Sequence, residues 1–279
     1  MSSTIPQVET RLAPRRSLPA EGVAELKRAV RYRPLVRYGV AASLRTENTG
    51  TFFGAVWWLL DPLLLMAVYV VFVDVILDRG GPDYPVFVLT GVITWKFFQA
   101  GVRNSIGFTL AKERQMRQVA FPKVVLPFSS VTAEAIHVLF GVGVLLLVAV
   151  AFGIAPSPVL ALLPLVVAVQ FVFTLGVAFL LSALNVFFRD VNHLTSYVFQ
   201  LWFYLSPALY PVSAVPAQYR DLYELNPFAT FLPAYQGLVI DHSLPDFGAL
   251  GAVAAVSVAV LVFGYLVFVR LEPSFTKVM

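Results

Sequence analysis

The chain has 279 residues, of which 58% are hydrophobic and only 13% charged, and its mean hydropathy is +0.78. A soluble domain has about a quarter charged residues, so this composition excludes intrinsic disorder and argues against a single water-soluble globule. The lack of cysteine excludes disulfides, iron–sulfur clusters and cysteine-based zinc sites. The three histidines are scattered along the chain, which makes a metal site improbable. We therefore expect an all-α polytopic membrane protein.

The N-terminal 50 residues form a basic segment ahead of the first span. Residues 1–20 are predicted to be a cytosolic basic tail. In Glu21–Leu44, apolar residues recur at helical spacing among arginines, and Pro34 kinks or divides the stretch. This pattern predicts an amphipathic helix in the membrane interface, which either anchors the chain or also contacts a partner.

Residues 51–270 hold the predicted membrane domain, and residues 271–279 form a short cytosolic tail. A transmembrane helix needs about 20 mostly apolar residues. The sequence predicts six such helices, of which the fifth is short and aromatic: Phe52–Leu77, Tyr84–Leu110, Val124–Phe152, Val159–Val186, Thr195–Pro211 and Gly248–Val269. Between the fifth and sixth lies a long acidic loop, in which Leu222–Leu225 and Phe228–Ile240 are apolar enough to be re-entrant helices that dip toward the outer leaflet.

The distribution of lysine and arginine predicts the orientation. With six spans, sixteen of these cations fall on the side of the two termini, and only Arg79 and Arg220 fall on the other side. Because loops rich in Lys and Arg stay in the cytosol, we expect both termini to be cytosolic.

Two cations, Lys96 and Arg103, lie within the second span, seven residues apart on one helical face. They have two interpretations. They contact anionic groups of a substrate, or they pair with intramembrane acids, for which the candidates are Asp61, Asp74 and Glu134.

On the third span, Glu134 and His137 have the spacing that puts both side chains on one face of a helix. We interpret them as a hydrogen-bonded pair inside the bundle, with an acid–base pair as the alternative. The sequence has no G-x-x-x-x-G-K-[ST] phosphate loop, H-E-x-x-H or G-x-S-x-G motif, so we expect a transport subunit rather than an enzyme. A membrane transferase that uses polyprenyl phosphate is the rival class, and it should show paired carboxylates or a His–Asp pair near one membrane face.

Between the second and third spans, Leu110–Phe121 alternates apolar and charged residues and ends at Pro122. This pattern predicts a short amphipathic cytosolic helix. Such a helix fits into a groove on a soluble partner, or it lies on the lipid surface.

Several strings resemble the type-2 ABC exporter permeases, the membrane subunits that export O-antigen, teichoic acid and related lipid-linked polysaccharides. They occur in the family's order across about residues 35–270: Trp57…Leu60 with Pro62-Leu63-Leu64; Val119-Ala120-Phe121-Pro122-Lys123-Val124-Val125-Leu126-Pro127; Phe188-Arg189-Asp190-Val191 followed by Gln200-Leu201-Trp202-Phe203-Tyr204-Leu205-Ser206-Pro207 and Tyr210-Pro211; and Asn226-Pro227. Each string is modest alone, but together and in order they are specific to the family.

The resemblance implies a homodimer with a channel along its interface and two separate nucleotide-binding subunits, which bind ATP and magnesium in place of this chain. It makes Leu110–Phe121 the coupling helix, with Glu113, Arg114, Arg117 and Phe121 facing the ATPase. It also implies export of a lipid-linked cell-envelope polysaccharide across the bacterial cytoplasmic membrane, with no nucleic-acid partner. Within the family, export of a drug or small lipid is the alternative.

Aromatic residues are the predicted lining of the substrate path, because rings with polar tips match the C–H faces and hydroxyls of sugars. The candidates are Tyr69, Phe72, Trp202, Phe203, Tyr204 and Tyr210, with Lys96 and Arg103 as pyrophosphate contacts. The alternative is an aromatic belt at the headgroups. Trp202 and Tyr204 are about 200° apart on a helix, so only one of them is expected to face the channel.

Overall fold

The computed structural model describes residues 33–46, 54–111 and 122–278. These residues form helices, with no strand among them, as the sequence predicts. The α-helices are α1 (Arg33–Thr46), α2 (Trp57–Val70), α3 (Tyr84–Ala111), α4 (Val125–Ala151), α5 (Leu163–Phe187), α6 (Asp190–Tyr204), α7 (Arg220–Glu224), α8 (Phe228–Gln236) and α9 (Phe247–Val278). Two π-helical segments extend helices: Val71–Ile76 continues α2 and Gly237–Asp241 continues α8.

Five helical segments within the described residues are long and apolar enough to cross a membrane: Trp57–Ile76, Tyr84–Gly107, Val125–Ala151, Pro158–Phe187 and Phe247–Phe275. They correspond to the predicted spans one to four and six, so the multi-span character is confirmed.

The predicted fifth span, Thr195–Pro211, differs from the structure at both ends. Its helix, α6, begins at Asp190 and ends at Tyr204, and residues 205–210 form turns. Its 15 residues extend about 22 Å, which is shorter than the hydrocarbon core of a bilayer. Pro207 explains the early end, because proline disfavours helical backbone at the residue before it.

The centre of the bundle is α3, which packs against α2, α4, α5, α6 and α8. Its side chains dominate the core, and Val88, Leu89, Phe98 and Val102 are fully buried.

Helices α5 and α9 cross closely because glycines lie at the contact. A Cβ added to Gly176 would lie 2.6 Å from the backbone nitrogen of Leu261, and one on Gly264 would lie 2.2 Å from the carbonyl oxygen of Gly176. Small residues at such crossings allow helix backbones in a membrane to pack by close van der Waals contact.

The predicted interface helix lies partly outside the described residues. Its described part is α1, which has Pro34 in the first turn, where the missing N–H costs no hydrogen bond. Helix α1 packs on α4, and a Cβ on Gly39 would lie 2.6 Å from the Ser129 hydroxyl oxygen.

The two short helices predicted in the long loop are present as α7 and α8. Helix α8 is packed among the longer helices, and Phe228, Phe231 and Leu232 are fully buried. It contacts α3 and α5, so this segment lies within the bundle rather than outside it.

Candidate functional site

An aromatic cluster joins α3, α6 and α8. The Trp95 and Phe228 ring centroids lie 4.6 Å apart, those of Phe98 and Phe228 lie 5.0 Å apart, and those of Trp202 and Phe228 lie 5.5 Å apart. Such tilted and edge-on ring pairs contribute about 0.5–1.5 kcal/mol each beyond their buried area. The cluster fixes the rotation of α6 against α3, and so decides which residues of α6 face outward.

Asn226 fastens the end of α6 to the start of α8. Its Oδ1 accepts hydrogen bonds from the Trp202 indole N–H (2.8 Å) and the Phe228 backbone N–H (3.0 Å). Its Nδ2 donates to the Ser206 hydroxyl oxygen at 3.0 Å. The Asn-Pro string therefore has a structural role at this junction.

Beside the aromatic cluster, α2, α3 and α6 enclose a cavity of about 280 Å³, which we call the cationic cavity. Its lining is Leu65, Tyr69, Val92, Trp95, Lys96, Gln99, Arg103, Ser196, Gln200, Phe203 and Tyr204. Five of the predicted site residues therefore converge here, namely Tyr69, Lys96, Arg103, Phe203 and Tyr204.

Helical spacing produces the polar walls of the cationic cavity. Lys96, Gln99 and Arg103 recur three and four residues apart on α3, and α6 contributes Ser196 and Gln200 at the same spacing. The sequence analysis missed Gln99, Ser196 and Gln200. A search for polar residues that share a helical face with the cations or with Tyr204 would have found them.

The aromatic residues of the cationic cavity offer both rings and hydroxyls. The Tyr69 and Phe203 ring centroids lie 5.8 Å apart, and Phe203 is buried. Tyr204 is 48% exposed, so its ring and hydroxyl are available to a ligand. This lining suits a ligand with alternating apolar and hydroxylated surfaces.

The remaining aromatic candidates lie outside the cationic cavity. Trp202 is in the aromatic cluster, so it and Tyr204 lie on different sides of α6. Phe72 is 53% exposed on the π-helical extension of α2. The Tyr210 hydroxyl donates to the Tyr204 carbonyl oxygen at 3.0 Å.

Outside the membrane-spanning segments, a tyrosine of α7 supports this turn. The Tyr223 hydroxyl donates to that of Tyr210 at 3.3 Å. Burial, followed by this hydrogen bond, raises the pKa of Tyr223 above its usual range, so it stays a neutral donor.

The charges of the cationic cavity are positive. Among the described residues that line it are Lys96 and Arg103 but no carboxylate. The Lys96 ammonium forms an ion pair with Asp61, which lies on α2 and outside this lining. Of the predicted acidic partners for the two cations, Asp61 is the one that the ion pairs among the described residues bear out.

A second cavity of about 230 Å³ lies on the other side of Lys96, between α2, α3 and α4, and we call it the tryptophan cavity. Glu134 and His137 meet there, with Nδ1 of His137 3.2 Å from Oε2 of Glu134, which confirms the predicted hydrogen-bonded pair. Asn104 adds a hydrogen bond from Nδ2 to Oε1 of Glu134 at 2.7 Å.

The predicted coupling residues, Glu113, Arg114, Arg117 and Phe121, lie outside the described residues. The chain is described again from Pro122, and the next residue is tied to α9. The Lys123 backbone N–H donates to Oε1 of Glu272 at 3.0 Å, and its ammonium donates to the Glu272 carbonyl oxygen at 3.1 Å. Burial lowers the pKa of Lys123, an effect that the nearby Glu272 charge opposes.

Comparison with known proteins decides the family. Residues 25–240 match the profile described as ABC-2 type transporter, which is most of the chain. The chain belongs to the ABC-2 type transporter family. In this ABC-2 chain the match includes α2 to α8, and hence both cavities and the aromatic cluster.

Curated relatives agree with this assignment. An O-antigen export system permease protein RfbA from Myxococcus xanthus is 34% identical over 232 residues, which is 82% of this chain and 89% of the relative. Two proteins with the same description from Klebsiella pneumoniae are 27% and 26% identical over 237 residues, which is 85% of this chain and 91% of each relative. This ABC-2 chain is therefore similar over most of its length to permease subunits.

Proposed function

We propose that this chain is the permease subunit of an ATP-driven exporter that moves a lipid-linked O-antigen-type polysaccharide across the bacterial cytoplasmic membrane. The relatives are described as O-antigen export permeases, and the family is one of ABC transporters. The observation that carries the proposal is the cationic cavity. It combines two cations, which suit a pyrophosphate, with tyrosines that suit sugars.

In this proposal the domain has six spans and two cytosolic termini, and α6 with the turns that follow it forms the fifth. Helix α1 lies in the cytosolic interface, and α7 and α8 are the re-entrant pair near the outer leaflet. The bias of Lys and Arg toward one side supports this orientation.

The absence of cysteine makes the topology easy to test. A cysteine at Gly81 or Arg220 should react with an impermeant thiol reagent outside intact cells, and a cysteine at Asp190 should react only after the cells are opened. External labelling at position 190 would contradict the orientation.

Two copies of the chain are proposed to enclose the channel. The first span has room for a neighbour, since only 6% of its most apolar window is buried. Val68, Val71, Phe72, Val75 and Ile76 are more than half exposed along it, an apolar surface that lipid or the second copy covers. Phe72 remains a channel candidate on this face.

Two ATPase subunits are proposed to bind the cytosolic side and to hold ATP and magnesium. Their closure would push the coupling helices, so that the first and fifth spans separate and the headgroup and glycan pass outward. Glu113, Arg114, Arg117 and Phe121 are the proposed contacts. The Lys123–Glu272 contact would carry this movement to α9.

The test of the cationic cavity removes charge without removing bulk. Arg103→Gln and Lys96→Gln should each lower glycan export several-fold, because the pyrophosphate loses a charge-assisted hydrogen bond. Arg103→Lys and Lys96→Arg are the matched controls and should keep most of the activity. The readout is surface polysaccharide per folded complex recovered from the membrane. Unchanged export in both Gln variants would contradict the pyrophosphate site.

A further inference from the structure

The tryptophan cavity contains polar groups that the proposed substrate path does not use. Lys96 borders both cavities, but the residues that follow it on α3 point to different sides. Gln99 and Arg103 line the cationic cavity, whereas Ala100 and Asn104 line the tryptophan cavity. Ionisable groups at this depth of a membrane protein are costly to keep, which points to a function.

The charges of the tryptophan cavity are compensated in place. Asp61 is paired with Lys96, and buried Glu134 holds Asn104 on one carboxylate oxygen and His137 on the other. Both oxygens of Glu134 therefore have fixed directions, and two carboxylates face one lysine across the lining. This balance repels phosphate and favours a neutral ligand that exchanges hydrogen bonds.

One donor in the tryptophan cavity lacks an acceptor. The Trp58 ring lies 4.2 Å from that of His137, centroid to centroid. Its indole nitrogen is buried and makes no hydrogen bond within the part of the chain that the structure describes. A buried indole N–H normally has an acceptor, so this one is suited to an oxygen supplied by a ligand.

Size and shape limit that ligand to one small ring. The volume of about 230 Å³ is below the roughly 300–1,000 Å³ of pockets for drug-sized molecules. The inner surface is apolar, formed by Ile93, Phe97 and Val138, and the polar groups lie around it. A pyranose has this combination of apolar C–H faces and a rim of hydroxyls.

We propose that the tryptophan cavity is a second binding site, separate from the cationic cavity, for one neutral sugar ring. A ring oxygen or hydroxyl accepts from the Trp58 indole N–H, and hydroxyls donate to the carboxylates of Asp61 and Glu134. The proposed function enters only as the source of the sugar, which is the glycan of the cargo.

The experiment compares one cysteine in each cavity of this cysteine-free chain. Ala100→Cys reports on the tryptophan cavity and Ser196→Cys on the cationic cavity. Each full-length variant is reconstituted in lipid nanodiscs, and the rate of its modification by N-ethylmaleimide is measured. The probes are octyl glucoside and octyl galactoside, with octyl tetraethylene glycol ether as the amphiphile without a sugar.

The sugar amphiphiles should slow modification of Ala100→Cys several-fold and leave Ser196→Cys unchanged, and the glycol ether should slow neither. Slowing by all three amphiphiles would identify an acyl-chain site and overturn the proposal. Inorganic pyrophosphate tests the proposed function separately, since it should protect Ser196→Cys but not Ala100→Cys.

A second measurement avoids the cysteine variants. The sugar amphiphiles should change the tryptophan emission of the unmodified chain, and Trp58→Phe, which keeps an aromatic ring but removes the indole N–H, should abolish that change. Tyr204→Phe is the control in the other cavity and should leave the change intact. No emission change in the unmodified chain, or an equal change in Trp58→Phe, would overturn the proposal.

Discussion

The first two spans differ in burial in the opposite sense to their hydropathy. The segment that contains α2 is the more apolar of the two, yet only 6% of its most apolar window is buried, whereas 78% of the corresponding window of α3 is buried. Helix α3 has the polar residues, among them Thr94, Lys96 and Gln99. In this protein a polar span is the buried one.

The reason is the solvent. Lipid tails are as apolar as leucine, so hydropathy gives a membrane helix no drive toward the protein interior. Polar groups do have such a drive, because they need partners. The carbonyl oxygen of Thr94 accepts from Gln170 Nε2 at 2.8 Å, and Gln170 Oε1 accepts from the Tyr235 hydroxyl at 2.8 Å. These bonds connect α3, α5 and α8.

The largest expected effect lies in the tightly packed half. Gly264→Leu would force α9 away from α5, because even a Cβ there would lie 2.2 Å from the Gly176 carbonyl oxygen. We expect little or no folded protein, measured as monodisperse yield in mild detergent. Gly251→Leu, on the same helix with open space around its Cβ position, is the control and should fold normally. Equal yields would show that the crossing is not close.

The next prediction compares one substitution in both spans. Phe98→Ala on α3 removes a fully buried ring of the aromatic cluster and should cost about 3–5 kcal/mol of unfolding free energy. Phe72→Ala on the exposed face of the first span should cost less than about 0.5 kcal/mol. Reversible denaturation of the single chain in detergent measures both. Similar costs would remove the contrast between the spans.

A third pair separates packing from transport on α6. Trp202→Ala should lower stability by about 3 kcal/mol, because Trp202 packs in the aromatic cluster and donates to Asn226. Tyr204→Ala should leave stability nearly unchanged and lower export per folded complex. Tyr204→Phe should restore the part due to the ring. If both Ala variants lost export equally at normal stability, the assigned rotation of α6 would be wrong.

The smallest effect concerns the link between the two spans. A double-mutant cycle of Lys96→Gln and Asp61→Asn should give a coupling of about 0.6 kcal/mol, the average measured for polar pairs between membrane helices. The pair is partly exposed, with side chains 30% and 55% accessible, so water weakens it. A coupling of several kcal/mol would mean that the first span is held more firmly than its burial indicates.

The sequence by itself determined the helical class, the membrane character and the family resemblance. These follow from local composition and from strings that lie close together in the chain. It also predicted the Glu134–His137 bond, because three residues on a helix bring two side chains to one face. The charge bias predicts the orientation in the same local way, and that prediction awaits the labelling experiment.

Tertiary structure decided which distant residues meet. The sequence treated the cations and the aromatic residues as separate groups, but α2, α3 and α6 bring Tyr69, Lys96 and Tyr204 to one cavity. It left three acids open as partners of the cations, and the position of α2 brings Asp61 to Lys96. Such outcomes depend on how each helix is rotated and how closely it crosses its neighbours. Ring packing around Phe228 and the glycine crossing of α5 and α9 set these quantities, and neither can be read from the spacing within one segment.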